Sequence, residues 1–475
     1  MAGPAVVAVI VVAIVARVIG LGGGLWLDEV YSFVNSFQLP FSRIVTEYWG
    51  DNHHPLYAVL AHASLLTLGD APWSLRLPAM VFGVATVPAL WRLGRALMPE
   101  REALLAAALL AVAYPHVWFS QNARGYSLLA FFTVVSSAAL LRGLQHGRRG
   151  SFLLFGIAAA LGVYTHLTMV FVVAGQALAA AIVVLWPPRR TDWRGPLLGI
   201  GIAGGLSAVL YAPMAAAVID FFVNRPSGLV GVSTPGWALQ EAVRVLSLGL
   251  GAGGVVLGTT LVSLAGAVGL AGLVSLACRH PAAALVFVLP VVTTVVGALA
   301  ARGTMYPRFF FFATGPALLI AVHGGFVSTA WLVRSLGLDT RWGPRLAVGG
   351  VGLALVASTL SLQFNYRFPK QDFKGAMEWV IAQRAAGDQV VSTGVPNQPY
   401  QTLYHQPWPN VFTAAELDVV RARGGRTWVL FTFERYLESG APEVAAIIRR
   451  DCARQRVFRG TVGGGDIVVC VLEPV

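Results

Sequence analysis

Long apolar runs separated by short polar breaks dominate the first three quarters of the chain. The stretches able to cross a bilayer are 4–21, 75–96, 103–117, 127–141, 151–164, 169–186, 196–219, 255–277, 282–301, 309–327 and 346–362. Several fall short of the ~20 residues that a spanning helix needs, so they extend into their flanks or line a cavity. The breaks sort by charge. Arg92, Arg95 and Arg101 mark one, Arg142, Arg148 and Arg149 the next, and Arg189, Arg190 and Arg194 the third; Arg279 and then Arg334, Arg341 and Arg345 follow. Lysine and arginine collect on the cytoplasmic side of membrane proteins, and placing all of these there gives a consistent alternation. The opposite face then receives 25–54, 115–124, 165–167, 220–244, 302–308 and everything after Gln363. The run 55–68 breaks the scheme, being apolar but short; it is read as a helix lying in or dipping into the outer leaflet, which leaves eleven spans.

After Leu362 the pattern changes. Residues 372–386 have helical apolar spacing, 389–392, 427–432 and 466–472 read as short buried strands, and 443–450 as another helix. The expected fold class is therefore a polytopic α-helical membrane protein with a small C-terminal α/β extracytoplasmic domain. Its boundaries are 1–363 for the membrane module, including a first extracytoplasmic loop at 22–54, and 364–475 for the soluble domain.

Composition agrees with this division. The chain is 56% hydrophobic and 12% charged, with a mean hydropathy of +0.69, whereas a soluble domain is nearer a quarter charged. The net charge of +12 bears on membrane orientation. No basic run is interleaved with aromatics in a soluble segment, which excludes nucleic acid as a partner. The first apolar run has no basic leader, so it reads as a retained span rather than a cleaved signal. Of three cysteines, Cys452 and Cys470 lie in the C-terminal segment and form a disulfide if that segment faces an oxidising compartment.

The polar residues assigned to the outer face are chemically selective. Asp28 and Glu29 follow the first span; Asp51, His53, His54 and Tyr57 stand where the chain turns back into apolar sequence. Acids at a membrane edge are costly unless solvated, paired or used, so the plain polar-connector reading competes with a catalytic one. Ser120-Gln-Asn-Ala-Arg124-Gly-Tyr126 places a guanidinium at one span entrance, and Arg302 and Arg308 stand at another. Each arginine has a bland reading as a snorkelling side chain, but arginine is also the side chain best suited to grip phosphate. A carboxylate acting as general base, with arginines stabilising a departing phosphate, points to transfer from a lipid-linked phosphate. No Walker-type loop occurs, so ATP-driven transport has no support.

Asp28-Glu29 after the first span, His54-Pro-Leu-Tyr57, Arg76-Leu-Pro78, Ser120–Tyr126 and Pro307-Arg-Phe, in that order, resemble the membrane glycosyltransferases of the GT-C superfamily. The branch is that of protein O-mannosyltransferases and lipid A aminoarabinose transferases. Tyr366-Arg-Phe-Pro-Lys-Gln-Asp-Phe, ahead of a soluble tail, resembles bacterial members. The resemblance implies an inverting transfer from a polyprenyl-phosphate sugar to a lipid, glycan or protein acceptor on the outer side of a bacterial plasma membrane. It places Asp28 as base and Glu29 as its acidic neighbour, with Arg124, Arg308, Arg302, Tyr126 and His54 near the donor phosphate. His53, Asp51, Arg76, His166 and Tyr57 are further cavity candidates. The family's second proline after His-Pro is absent here, which leaves open whether His53 or His54 faces the site. A divalent metal ion is left open, with Asp51 as a second acid or ligand. The rival reading is a transporter or flippase that moves a lipid-linked sugar without breaking a bond.

Overall fold

The computed structural model describes residues 3–50, 52–185, 192–224, 236, 240, 254–300 and 306–474. They form two compact units, one of Met1–Leu21, Pro40–Gly69 and Ser74–Leu362, the other of Gly22–Leu39, Asp70–Trp73 and Gln363–Val475.

In chain order the helices are α1 (Gly3–Val18), α2 (Leu27–Ser32), α3 (Phe41–Thr46), α4 (Pro55–Leu68), α5 (Pro72–Arg95), α6 (Glu100–Val112), α7 (Tyr114–Ser120), α8 (Tyr126–His146), α9 (Arg149–Thr165), α10 (Thr168–Leu185), α11 (Arg194–Tyr211) and α12 (Ala215–Val223). There follow α13 (Gly254–Arg279), α14 (Pro281–Ala300), α15 (Thr314–Ser335) and α16 (Trp342–Arg367). Among the described residues, eight helices are long and apolar enough to cross a membrane, or nine if the bent pair α6–α7 is one span. This is fewer than the eleven spans read from sequence. The other two expected spans are helical, but at 16 and 17 residues and 1.5 Å per residue they fall short of a ~30 Å hydrocarbon core. The 55–68 run is a helix of 14 residues, shorter still.

Buried polar contacts fix the first unit at places that periodicity does not reveal. The bend of 56° between α6 and α7 falls at Pro115, which has no N–H to offer the Ala111 carbonyl one turn back. Arg17, fully buried, donates to that carbonyl at 2.9 Å and to His116 Nδ1 at 2.6 Å. The end of α1 is held in turn by Gln121, whose amide donates to the Arg17 carbonyl at 3.0 Å, and by Arg76, whose Nη1 donates to the Leu21 carbonyl at 2.8 Å. The first satisfies a carbonyl in the last turn of α1, which a helix terminus leaves without an internal partner, and the second holds the turn that follows the helix. Farther along, α13 and α15 meet backbone to backbone at Gly272 and Gly324, where a Cβ on either would collide with the Ile320 or Val268 carbonyl. Beside this crossing His323 Nδ1 lies 2.6 Å from Glu102 Oε2, and Ser275 Oγ lies 3.1 Å from His323 Nε2.

The second unit is built on a five-stranded sheet. Its strands are β1 (Gln389–Thr393), β2 (Asn410–Val411), β3 (Thr427–Phe431), β4 (Cys452–Phe458) and β5 (Ile467–Leu472), in the order β2-β1-β3-β5-β4. β1 runs parallel to β2 and β3, while β5 pairs antiparallel with β3 and β4. Helices α17 (Phe373–Gln383), α18 (Ala414–Arg421), α19 (Glu434–Gly440) and α20 (Pro442–Asp451) complete it. Val391, Leu417, Val429, Val444, Ile448 and Cys470 share one core, and Cys452 and Cys470 are joined by a disulfide. The three expected strands and two expected helices are present. β2 and β4 are additions: one is two residues long, and the other is an edge strand whose Arg454-Gln-Arg456 centre is exposed.

Candidate functional site

Among the described residues, the phosphate-binding candidates Arg124, Tyr126 and His54 gather at the starts of α4 and α8 and the end of α9. α7 ends at Ser120, and the chain turns through 121–125 before Gly125 caps α8. A Cβ at Gly125 would lie 2.9 Å from the Thr165 carbonyl oxygen and 3.2 Å from His54 Cγ. Only glycine lets this turn approach so closely, and the approach brings Arg124 against the start of α4.

Arg124 is 1% exposed. Its Nε donates to His54 Nε2 at 3.0 Å and its Nη2 to Asn52 Oδ1 at 2.9 Å. Because Nε2 of His54 accepts, the ring proton sits on Nδ1, which donates to the Thr165 carbonyl at 3.2 Å. His54 stacks on His166, with centroids 4.7 Å apart. Tyr126 packs 4.9 Å from His166, and its ring lies beneath the Arg124 guanidinium at 5.4 Å. His166 Nδ1 accepts the Thr168 N–H at 3.2 Å. Arg308 lies over the Tyr306 ring at 4.3 Å.

Burial and two guanidiniums shape the electrostatics of this cluster. Burial, then the charge of Arg124, holds His54 well below the usual imidazole range. Burial and the charges of Arg124 and Arg308 hold His166 down to about 3. Two guanidiniums thus act on one neutral imidazole.

The other candidates separate. Tyr57 is fully buried and its hydroxyl donates to the Leu75 carbonyl at 2.7 Å, while Arg76 caps α1 as described. His53 stacks on Trp49 at 5.9 Å; both its nitrogens are buried without a hydrogen bond, and burial pulls it down to about 4. Asp51 and Arg302 lie outside the described residues. Among the described residues no three His, Cys, Asp or Glu side chains gather as a metal site.

Asp28 and Glu29 belong to the second unit, on the short helix α2 rather than on an irregular loop. They are not equivalent. Glu29 is fully buried, and its Oε2 accepts the Trp26 N–H at 3.2 Å, closing the start of α2. Asp28 is half-buried. The Leu27 N–H, next to Asp28, is taken by the side chain of Gln371 at 2.9 Å. Sequence reasoning passed over both Gln371 and Asn52. Asn52 adjoins the histidine pair and was within reach as a hydrogen-bonding neighbour, whereas Gln371 lies in the 366–373 stretch that the resemblance marks without marking the residue itself.

Residues 52–215 match the family model described as dolichyl-phosphate-mannose-protein mannosyltransferase. A search of curated proteins finds no match. Among solved structures the chain is similar to ArnT from Cupriavidus metallidurans in the apo state, at 14% identity and TM-score 0.53 over 98% of this chain and 97% of that one. The same protein bound to undecaprenyl phosphate matches at 14% identity and TM-score 0.52, with the same coverage. The archaeal oligosaccharyltransferase AglB from Archaeoglobus fulgidus, in complex with an inhibitory peptide and a dolichol-phosphate, matches at 14% identity and TM-score 0.55 over 97% of this chain and 74% of that one. Residues 52–215 thus match that mannosyltransferase family model, and the whole chain shares the fold of these membrane proteins.

Proposed function

We propose that the protein transfers a sugar from a polyprenyl-phosphate donor to a hydroxyl or amine of a lipid, glycan or protein acceptor on the outer side of a bacterial plasma membrane. The observation that carries the donor half is the placement of buried Arg124 against His54 and over the Tyr126 ring, with His166 stacked on His54. A guanidinium held in one orientation suits a phosphate. ArnT bound to undecaprenyl phosphate and AglB bound to a dolichol-phosphate support a polyprenyl carrier. The Cys452–Cys470 disulfide and the arginine clusters on the other side support the outward face, and eleven spans remain the proposed topology.

The acceptor half falls to Asp28. Asp28 is the acid that the resemblance places as base, and Glu29 beside it closes the start of α2. In the step, the acceptor oxygen or nitrogen attacks the anomeric carbon as Asp28 takes its proton. The bond from that carbon to the phosphate oxygen breaks, its electron pair stays on the phosphate, and the sugar inverts. Arg124 and Arg308 stabilise the phosphate as its charge grows.

The test is release of free polyprenyl phosphate by purified protein from a panel of labelled polyprenyl-phosphate monosaccharides. Asp28→Asn is expected to lose turnover by about 10²–10⁴-fold, the usual worth of a general base, while still binding polyprenyl phosphate. Arg124→Gln is expected to lose donor affinity as well as rate. A protein that moves the donor across vesicles without cleaving it, equally well with Asn at 28, is a flippase instead. Turnover that stops with a chelator and returns with a divalent cation would add a metal ion to the scheme.

A further inference from the structure

We infer that Gln371, in the C-terminal segment, is a positioning residue for Asp28, and that the acid-bearing helix α2 is seated at the carboxyl edge of the second unit's parallel strands. The inference rests on the reading of Asp28 as the base.

α2 is six residues long, far below the ~12 at which an isolated helix becomes even marginal in water. Its place must therefore come from what surrounds it. Inside the second unit its supports include, besides Glu29, a neighbouring helix and a side chain. It packs on the π-helix Gln398–Leu403, which follows β1. Its first amide, that of Leu27, donates to Gln371 Oε1 at 2.9 Å. Gln371 is 2% exposed and spends its amide nitrogen on Thr432 Oγ1 at 3.2 Å and the Gly465 carbonyl at 3.0 Å. Thr432 directly follows β3, and Gly465 stands just before β5.

The backbone that carries Gln371 is itself pinned. Thr461 N–H donates to the Pro369 carbonyl at 2.9 Å and Val462 N–H to that of Lys370 at 3.1 Å. Gly460 admits this strap, since a Cβ there would strike the Lys370 carbonyl.

The location has a topological reason. β1 is flanked by β2 on one side and β3 on the other, all three parallel. Chain order therefore reverses direction at β1, and in open α/β sheets the crevice outside the carboxyl ends at such a reversal is where ligands bind. Here α2 is held there, between the segment after β1 and Thr432 after β3. The sheet's usual ligand edge presents a carboxylate.

A carboxamide suits the task because it accepts from Leu27 and donates twice in one planar group. Glutamate keeps the acceptor but loses both donors; leucine loses everything at similar volume.

The experiment uses full-length protein in nanodiscs. Gln371→Leu is expected to lower kcat at least tenfold with polyprenyl-phosphate affinity within twofold of the parent, and Gln371→Glu to retain more rate than Gln371→Leu. Combined with Asp28→Asn, Gln371→Leu is expected to add no further loss, since a residue acting through Asp28 has nothing left to position. Hydrogen exchange is expected to quicken at the amides of 27–32 and stay unchanged in β1, β3 and β5. Losses that multiply in the double variant, exchange that quickens across the sheet, or a Gln371→Leu enzyme with parental kcat would each overturn the inference. If Asp28→Asn itself turns over normally, the assignment of the base fails. The exchange at 27–32 then still decides whether Gln371 holds the helix.

Discussion

His53 and Glu29 show how burial separates residues that look alike in sequence. Both stand in a pair of identical or similar groups, and in each pair one member is occupied with structure. His53 hides two nitrogens without hydrogen bonds and is pulled from 6.5 to about 4 by burial, with Glu47 opposing. As pH falls, the unfolded chain takes up this proton first. The stability at stake is complete above about 6.5, drains away between 6.5 and 4, and amounts to roughly 3 kcal/mol at most. His53→Phe keeps the stacking on Trp49, so its melting temperature is expected to match or exceed the parent's at pH 7.5 and to fall less at pH 5. Glu29→Gln leaves an acceptor for the Trp26 N–H and is expected to be nearly silent. Glu29→Ala is expected to cost about 1 kcal/mol, as lost caps do, seen in the unfolding of the second unit. The His53-or-His54 question could not be closed from sequence, because it depends on which ring reaches Arg124.

At the scale of elements, two close contacts invite substitution. Asp388, just before β1, pays for burial but accepts from Trp428 Nε1 at 3.0 Å, Ala385 N at 2.9 Å and Arg426 Nη2 at 2.9 Å, which together hold its carboxyl far below the usual range. A depressed carboxylate contributes its stability above the unfolded value of about 3.8 and loses it as pH falls below. Asp388→Asn is therefore expected to lower the melting temperature of the second unit at neutral pH, by an amount that shrinks toward pH 2. In the first unit, Gly324→Val drives a side chain into the Val268 carbonyl and is expected to abolish stable expression, because small residues are what let membrane helices approach. The helices and inner strands were legible since their apolar periods are strong. β4 was not, because its exposed Arg454 and Arg456 sit on an edge where no alternation is required. The break near Pro115 was missed, since 103–117 was read as one span, and so was its filling by Arg17: a guanidinium 94 residues away in sequence leaves no local trace.

For the whole molecule, sequence order and motif chemistry pointed to the fold that the solved structures share. They assigned 22–54 to the membrane module, whereas Gly22–Leu39 clusters with the residues after Gln363. That grouping has a consequence in time. Leu27 and Gln371 are separated by 344 residues, which a ribosome adding 5–20 residues per second takes roughly 20–70 s to make. Throughout that interval the helices around Arg124 can already be inserted, while the segment bearing Asp28 still lacks its anchor. On the proposed assignment of Asp28 as base, the acid gains its full seat only when the strap at 369–371 has met 461–462.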